Sequence, residues 1–152
     1  MPDIFISYSV QDEKLARFVK DHCENQKLDV FLASISLDSG EHWTPQIKSA
    51  LKASNWVFLL ASKAALASPN VQMEVGGAVF SEKKLVPIMW DVEPQDLPRW
   101  IADYQGIILK GATMENINLQ MSQLAAKVRS EKDKGTLVVG AVFLGLLYLV
   151  AK

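Results

Sequence analysis

Two rhythms of apolar residues alternate along this chain. Short runs dense in apolar side chains are separated by longer stretches whose apolar residues recur three and four apart. DIFISYS (Asp3–Ser9) opens the chain as a β-rich run ending in a polar turn. QDEKLARFVKDHCENQ follows with Leu15, Phe18 and Val19 at helical spacing. DVFLA (Asp29–Ala33) predicts a second strand, and SISLDSGEH carries a turn signal at Asp38-Ser39-Gly40. Thr44-Pro45 opens the next helix as an N-cap with proline in the first helical position, and Ile47 and Leu51 face inward. NWVFLLAS (Asn55–Ser62) is almost continuously apolar, as expected of a parallel strand buried on both faces. Ser68-Pro69 repeats the cap-plus-proline start. LVPIMW (Leu85–Trp90) and GIIL (Gly106–Leu109) predict the fourth and fifth strands. Ile117, Met121, Leu124 and Val128 mark a final amphipathic helix.

Strands alternating with helices in this way predict an α/β fold, a flavodoxin-like open parallel sheet of five strands in the order 2-1-3-4-5 with helices on both faces. The chain has 152 residues, enough for one domain with a core of its own. We expect residues 1–130 to form that domain, 131–135 (within the charged SEKDK stretch and after it) to act as a linker, and 136–152 to form a C-terminal hydrophobic helix. Leu137–Ala151 is without charge and is bracketed by Lys134 and Lys152. At about 1.5 Å per residue it spans roughly 22 Å, short of the roughly 30 Å hydrocarbon core, although flanking lysines can snorkel. The expectation is a membrane anchor, with a helix buried in an oligomer as the alternative. Arg129, Lys132 and Lys134 before it would hold the domain on the cytoplasmic face of the membrane.

A net charge of −1 gives no reason to expect a nucleic-acid partner. The single cysteine, Cys23, excludes an intramolecular disulfide and fits a reducing compartment; its place beside a helical stripe reads as packing. His22 lies on the same stripe without metal-ligand spacing and reads as structural, and no metal is expected. MPDIFISYS has neither the basic region nor the apolar run of a signal peptide. No G-x-G-x-x-G follows the first strand and no G-x-x-x-x-G-K-[ST] occurs, so a Rossmann dinucleotide site and a P-loop are excluded. The third strand ends in Ala61-Ser62 rather than the aspartate of a phosphate-accepting receiver.

The candidate chemistry lies in SPNVQMEVGGAVF (Ser68–Phe80). Val71, Val75 and Ala78 form an apolar stripe, and the position that completes it is Glu74. The carboxylate therefore points inward, with no lysine or arginine three or four residues away, and a raised pKa is expected. In a sheet of this order ligands bind at the carboxyl ends of the strands, between strands 1 and 3, and Glu74 is under two helical turns from that crevice. Gly76-Gly77 costs roughly 1 kcal/mol per glycine relative to alanine, which suggests close approach by a backbone or a ligand, or tight helix packing.

Three segments together resemble a TIR (Toll/interleukin-1 receptor-resistance) domain over roughly Pro2 to Arg129. They are DIFISYS, then FLASISLDSGEHWTPQIKSALKASNWVFLLAS, then SPNVQMEV. The second includes what would be the BB loop, about Ala33–Trp43. The resemblance implies one of two functions. One is cleavage of the nicotinamide–ribose bond of NAD+ by a self-associating enzyme, with NAD+ as substrate and no cofactor. The other is a non-catalytic, membrane-associated signalling scaffold. In the enzymes a glutamate in this segment is essential, and Glu74 is the residue that matches. Tyr8, Ser9, Ser36, Trp43 and Asn70 are the candidate substrate-binding residues. Two departures stand out. Asn70 occupies the place, four residues before the glutamate, where the enzymes often have tryptophan. SLDSGEH replaces the Arg-Asp-x-x-Pro-Gly style of animal BB loops, so the chain is more similar to bacterial or stand-alone TIR proteins. Within that resemblance, an effector that depletes NAD+ during phage infection is the expected role.

Overall fold

The computed structural model describes residues 1–33 and 45–144, with side chains described to residue 134. Five strands, β1 (Ile4–Ser7), β2 (Val30–Ala33), β3 (Trp56–Ala61), β4 (Lys84–Met89) and β5 (Ile107–Ile108), form one sheet in the order β2-β1-β3-β4-β5. Every neighbouring pair is parallel. The connections carry helices α1 (Glu13–Glu24), α2 (Pro45–Ala53), α3 (Lys63–Leu66), α4 (Pro69–Phe80) and α5 (Arg99–Ala102), and α6 (Met114–Leu144) follows β5. The expected fold class and strand order are those observed.

Period-two alternation sorts the strand residues into two cores. Ile4, Ile6, Tyr8, Trp56, Phe58, Leu60 and Ile88 pack with Ala16 and Val19 of α1 and with Ile117, Met121, Ala125 and Val128 of α6. Phe5, Val57, Leu59 and Ala61 pack with Ile47 and Leu51 of α2 and with Val71, Val75 and Ala78 of α4. Because both faces are covered, all six residues of β3 are buried, which is why its sequence reads as a continuous apolar run.

His22 and Cys23 have structural places. The His22 ring lies edge-on to Phe18, with Nε2 3.1 Å from Asn118 Oδ1 and Nδ1 3.4 Å from Ser122 Oγ, so it joins α1 to α6. Cys23 is buried in the α1 core, and burial, with a smaller contribution from the Glu24 charge, pushes its thiol up to about 12.

The charged stretch after Val128 is helical, because α6 continues through residues 131–135 without a break. Ion pairs hold its first part to the domain, Lys84 with Glu131 and Lys132 Nζ with Asp3 Oδ2 at 3.1 Å, while Arg129 Nε and Asp133 Oδ1, 3.1 Å apart, pair within the helix. Among the described residues no helix is long and apolar enough to cross a membrane. The apolar run expected to form an anchor lies outside the described side chains, and its backbone is described only to Leu144.

Candidate functional site

β1 and β3 are hydrogen-bonded neighbours, while the chain leaves β1 for β2 on the other side. Crossovers from this point depart in opposite directions and open a crevice at the carboxyl ends of the two strands. Ser7 ends β1, paired with Ala33 of β2 and Leu59 of β3, so its backbone is fixed from both sides. The next residues turn away. Ser9 caps a short 3-10 turn (Val10–Asp12), accepting from the Gln11 amide at 3.3 Å. Ser62, just after β3, accepts from the Ala65 amide to start α3 and donates to Asp12 Oδ2. That hydroxyl ties the loop after β3 to the loop after β1.

α4 begins where the sequence predicts. Ser68 accepts from the Val71 amide at 3.4 Å and Pro69 follows. The inward stripe is Val71, Glu74, Val75 and Ala78, and Glu74 is 3% exposed. Its partner is Ser7, itself fully buried, whose Oγ–H donates to Glu74 Oε1 at 2.6 Å. Burial raises the Glu74 carboxyl from 4.5 to about 7, and the Ser7 hydrogen bond opposes the rise. The carboxyl is therefore balanced between its acid and its anion near neutral pH. The anion can accept hydroxyl protons or stabilise a developing positive charge, and in a dry site both effects are stronger than in water.

The other sequence candidates are distributed as follows. Asn70 is half-buried, one helical turn above Glu74 and nearer the start of α4. Ser9 is buried at the rim as a cap. Tyr8 is 3% exposed and packs in the α1/α6 core with Ile4 and Ile6, on the face of the sheet opposite Ser7 and Glu74. Tyr8 therefore does not stand beside Glu74. Ser36 and Trp43, with most of the expected BB loop, lie outside the described residues.

Sequence reasoning missed Ser7. The signal was present: a serine two residues after Phe5 occupies the one polar inward position of β1, and a buried polar group needs a partner. Among the described residues, a Cβ built at Gly76 would meet nothing within 4 Å. Among the described residues there is no cluster of side chains suited to a metal ion. A separate groove of about 770 Å³, lined by Asp3, Trp56, Lys84, Glu131 and Lys132 among others, lies at the amino ends of the strands. Its lysines are engaged: Lys84 lies 5.1 Å from the Trp56 ring centroid and pairs with Glu131, and Lys132 pairs with Asp3.

The fold and the site together define a flavodoxin-like α/β domain in which, among the described residues, one carboxylate is buried and hydrogen-bonded at the carboxyl end of β1. Residues 4–124 match the sequence profile of the TIR domain, and the chain belongs to that family. It is 29% identical over 105 residues to a probable 2′ cyclic ADP-D-ribose synthase, BdTIR, of Brachypodium distachyon. That match covers 66% of this chain and 47% of the relative, so the chain spans about half the length of that curated protein. Among solved structures, the TIR domain of the Toll-related receptor TRR-2 from Hydra magnipapillata superposes with a TM-score of 0.67 at 13% identity, over 85% of this chain and 99% of that one. The TIR domains of the activated Roq1 resistosome give 0.66 at 15% identity, over 81% and 98%. A TIR-STING receptor from C. gigas, solved in complex with 2′,3′-cGAMP, gives 0.63 at 25% identity, over 82% and 39%.

Proposed function

We propose that this TIR domain cleaves the nicotinamide–ribose bond of NAD+, with Glu74 as the catalytic carboxylate. The observation that carries the reading is a buried carboxyl on α4 that accepts from Ser7 at the carboxyl end of β1, with its pKa raised to about 7 by burial. The similarity to a probable 2′ cyclic ADP-D-ribose synthase supports it.

One carboxylate is enough for this reaction. Most glycosidases need two because an alkoxide leaving group must be protonated. Nicotinamide departs from a cationic ring as a neutral molecule, taking the electron pair of the C1′–N bond, and needs no general acid. The Glu74 anion holds a ribose hydroxyl and stabilises the oxocarbenium-like transition state. Water then attacks C1′ to give ADP-ribose, or a hydroxyl of the same molecule attacks to give a cyclic product. In either case the nucleophile's proton passes to a base, a role that a carboxylate with a pKa of about 7 can fill. Self-association through about Ala33–Trp43, which would complete the site, belongs to the same proposal. So do a membrane anchor at 136–152, a place on the cytoplasmic face, and a role in depleting NAD+ during phage infection. The anchor rests on the uncharged run Leu137–Ala151, and the rest on family resemblance.

The test is release of nicotinamide from NAD+ by the full chain at high protein concentration. We expect product from the unaltered chain and a loss of roughly 10²-fold or more in kcat for Glu74→Ala. No product from the concentrated chain, or equal product from Glu74→Ala, would overturn the assignment and leave the scaffold reading.

A further inference from the structure

We infer that Ser7 is the positioning residue for Glu74: its hydroxyl orients the carboxylate and keeps it ionisable in a buried site. The inference rests on the proposed catalytic role of Glu74, but its first test does not require activity.

The geometry is specific. A serine side chain has one rotatable bond before its oxygen, and β1 is hydrogen-bonded on both sides at Ser7, so the donor has a nearly fixed position. The carboxylate arrives from α4, where Val71, Val75 and Ala78 are all buried on the same stripe. A hydroxyl fixed on a central strand thus meets a carboxylate fixed on a packed helix, and the 2.6 Å separation belongs to a strong, charge-assisted bond. With Oε1 engaged, Oε2 is the oxygen left to serve a ligand at the crevice. The hydroxyl has one proton to give. Given to Oε1 it favours the anion and counters burial, which otherwise favours the neutral acid. Ser7 therefore fixes which oxygen faces the chemistry and lowers the pH at which that oxygen carries charge.

The first experiment is a titration of the Glu74 side-chain carboxyl by 13C NMR in the full chain, unaltered and as Ser7→Ala. We expect the midpoint to rise by about one pH unit or more on loss of the donor. Ser7→Cys, which fills the space with a weaker donor, should fall between the two and also covers the case in which Ser7→Ala fails to fold. The second experiment is the pH profile of nicotinamide release. Ser7→Ala should lose roughly fivefold in kcat at pH 7, as the fraction of anion falls, with KM nearly unchanged and the acid limb displaced to higher pH alongside the NMR midpoint. An unchanged or lowered midpoint in both variants would overturn the inference. A raised midpoint in a chain that releases no nicotinamide would uphold the electrostatic role of Ser7 and reject the proposed reaction instead.

Discussion

Replacing Glu74 by glutamine should stabilise this protein, and should do so only above a particular pH. The unfolded carboxyl titrates near 4.5 and the folded one at about 7. Below 4.5 the group is protonated in both states and has no effect on the balance between them. Between the two values the folded state binds the extra proton, so stability falls as pH rises. Above about 7 the side chain is ionised in both states, and the folded state carries the full cost of a buried charge. A displacement from 4.5 to about 7 corresponds to about 3 kcal/mol. Glutamine has nearly the same shape, carries no charge, and can still accept from Ser7. The advantage of Glu74→Gln over the unaltered chain should therefore grow by about 3 kcal/mol from pH 4.5 to pH 8, on top of a pH-independent offset for whatever its amide loses by lacking an acceptor. Urea unfolding of both chains, followed by tryptophan fluorescence from pH 4.5 to 9, measures the gap. The other acidic groups are common to both chains and largely cancel in the difference. A gap that stays constant with pH, or that moves in favour of the unaltered chain as pH rises, would refute the reasoning.

Three further outcomes follow from the geometry. Gly76→Ala should raise stability by about 0.5–1 kcal/mol, read as a higher urea midpoint, because the position is inside α4 and a Cβ there meets no described residue within 4 Å. Gly106→Ala should lower it by about 1–3 kcal/mol in the same assay, because its Cβ would overlap the Pro87 carbonyl oxygen and crowd the Met89 side chain at 2.9 Å. Cys23, buried and with its thiol pushed up to about 12, should stay unreactive toward a disulfide reagent at pH 8 and react fully once the chain is unfolded in urea.

What the sequence disclosed depended on the range of the pattern. The parallel sheet was legible because β3 needs apolar residues on both faces, and the start of α4 because Ser68-Pro69 is a local signal. Glu74 was legible because a helical stripe shows a gap when one of its members is charged. Ser7 was legible as a buried polar position of β1, but its partner, 67 residues away, was not. Tyr8 packs with Ile4 and Ile6 in the other core, a placement that a family resemblance does not state. The charged stretch after Val128 was read from composition alone, and composition does not say that it is helical. Neighbouring acids and bases at the surface, such as Arg129 and Asp133, are compatible with continued helix.

The bond between Ser7 and Glu74 also bears on when this chain becomes competent. Serine and carboxylate belong to segments made at different times, and what brings them together is the insertion of β3 beside β1 and the docking of α4 over both. Contacts of such long sequence separation form late and cooperatively. A growing chain that has exposed only β1 and β2 has no site at all, and a chain whose α4 has come away from the sheet leaves its carboxyl in water with an ordinary pKa. The acid–base character of the crevice is thus a readout of tertiary completion: the residues are encoded separately, and their chemistry exists only in the assembled domain.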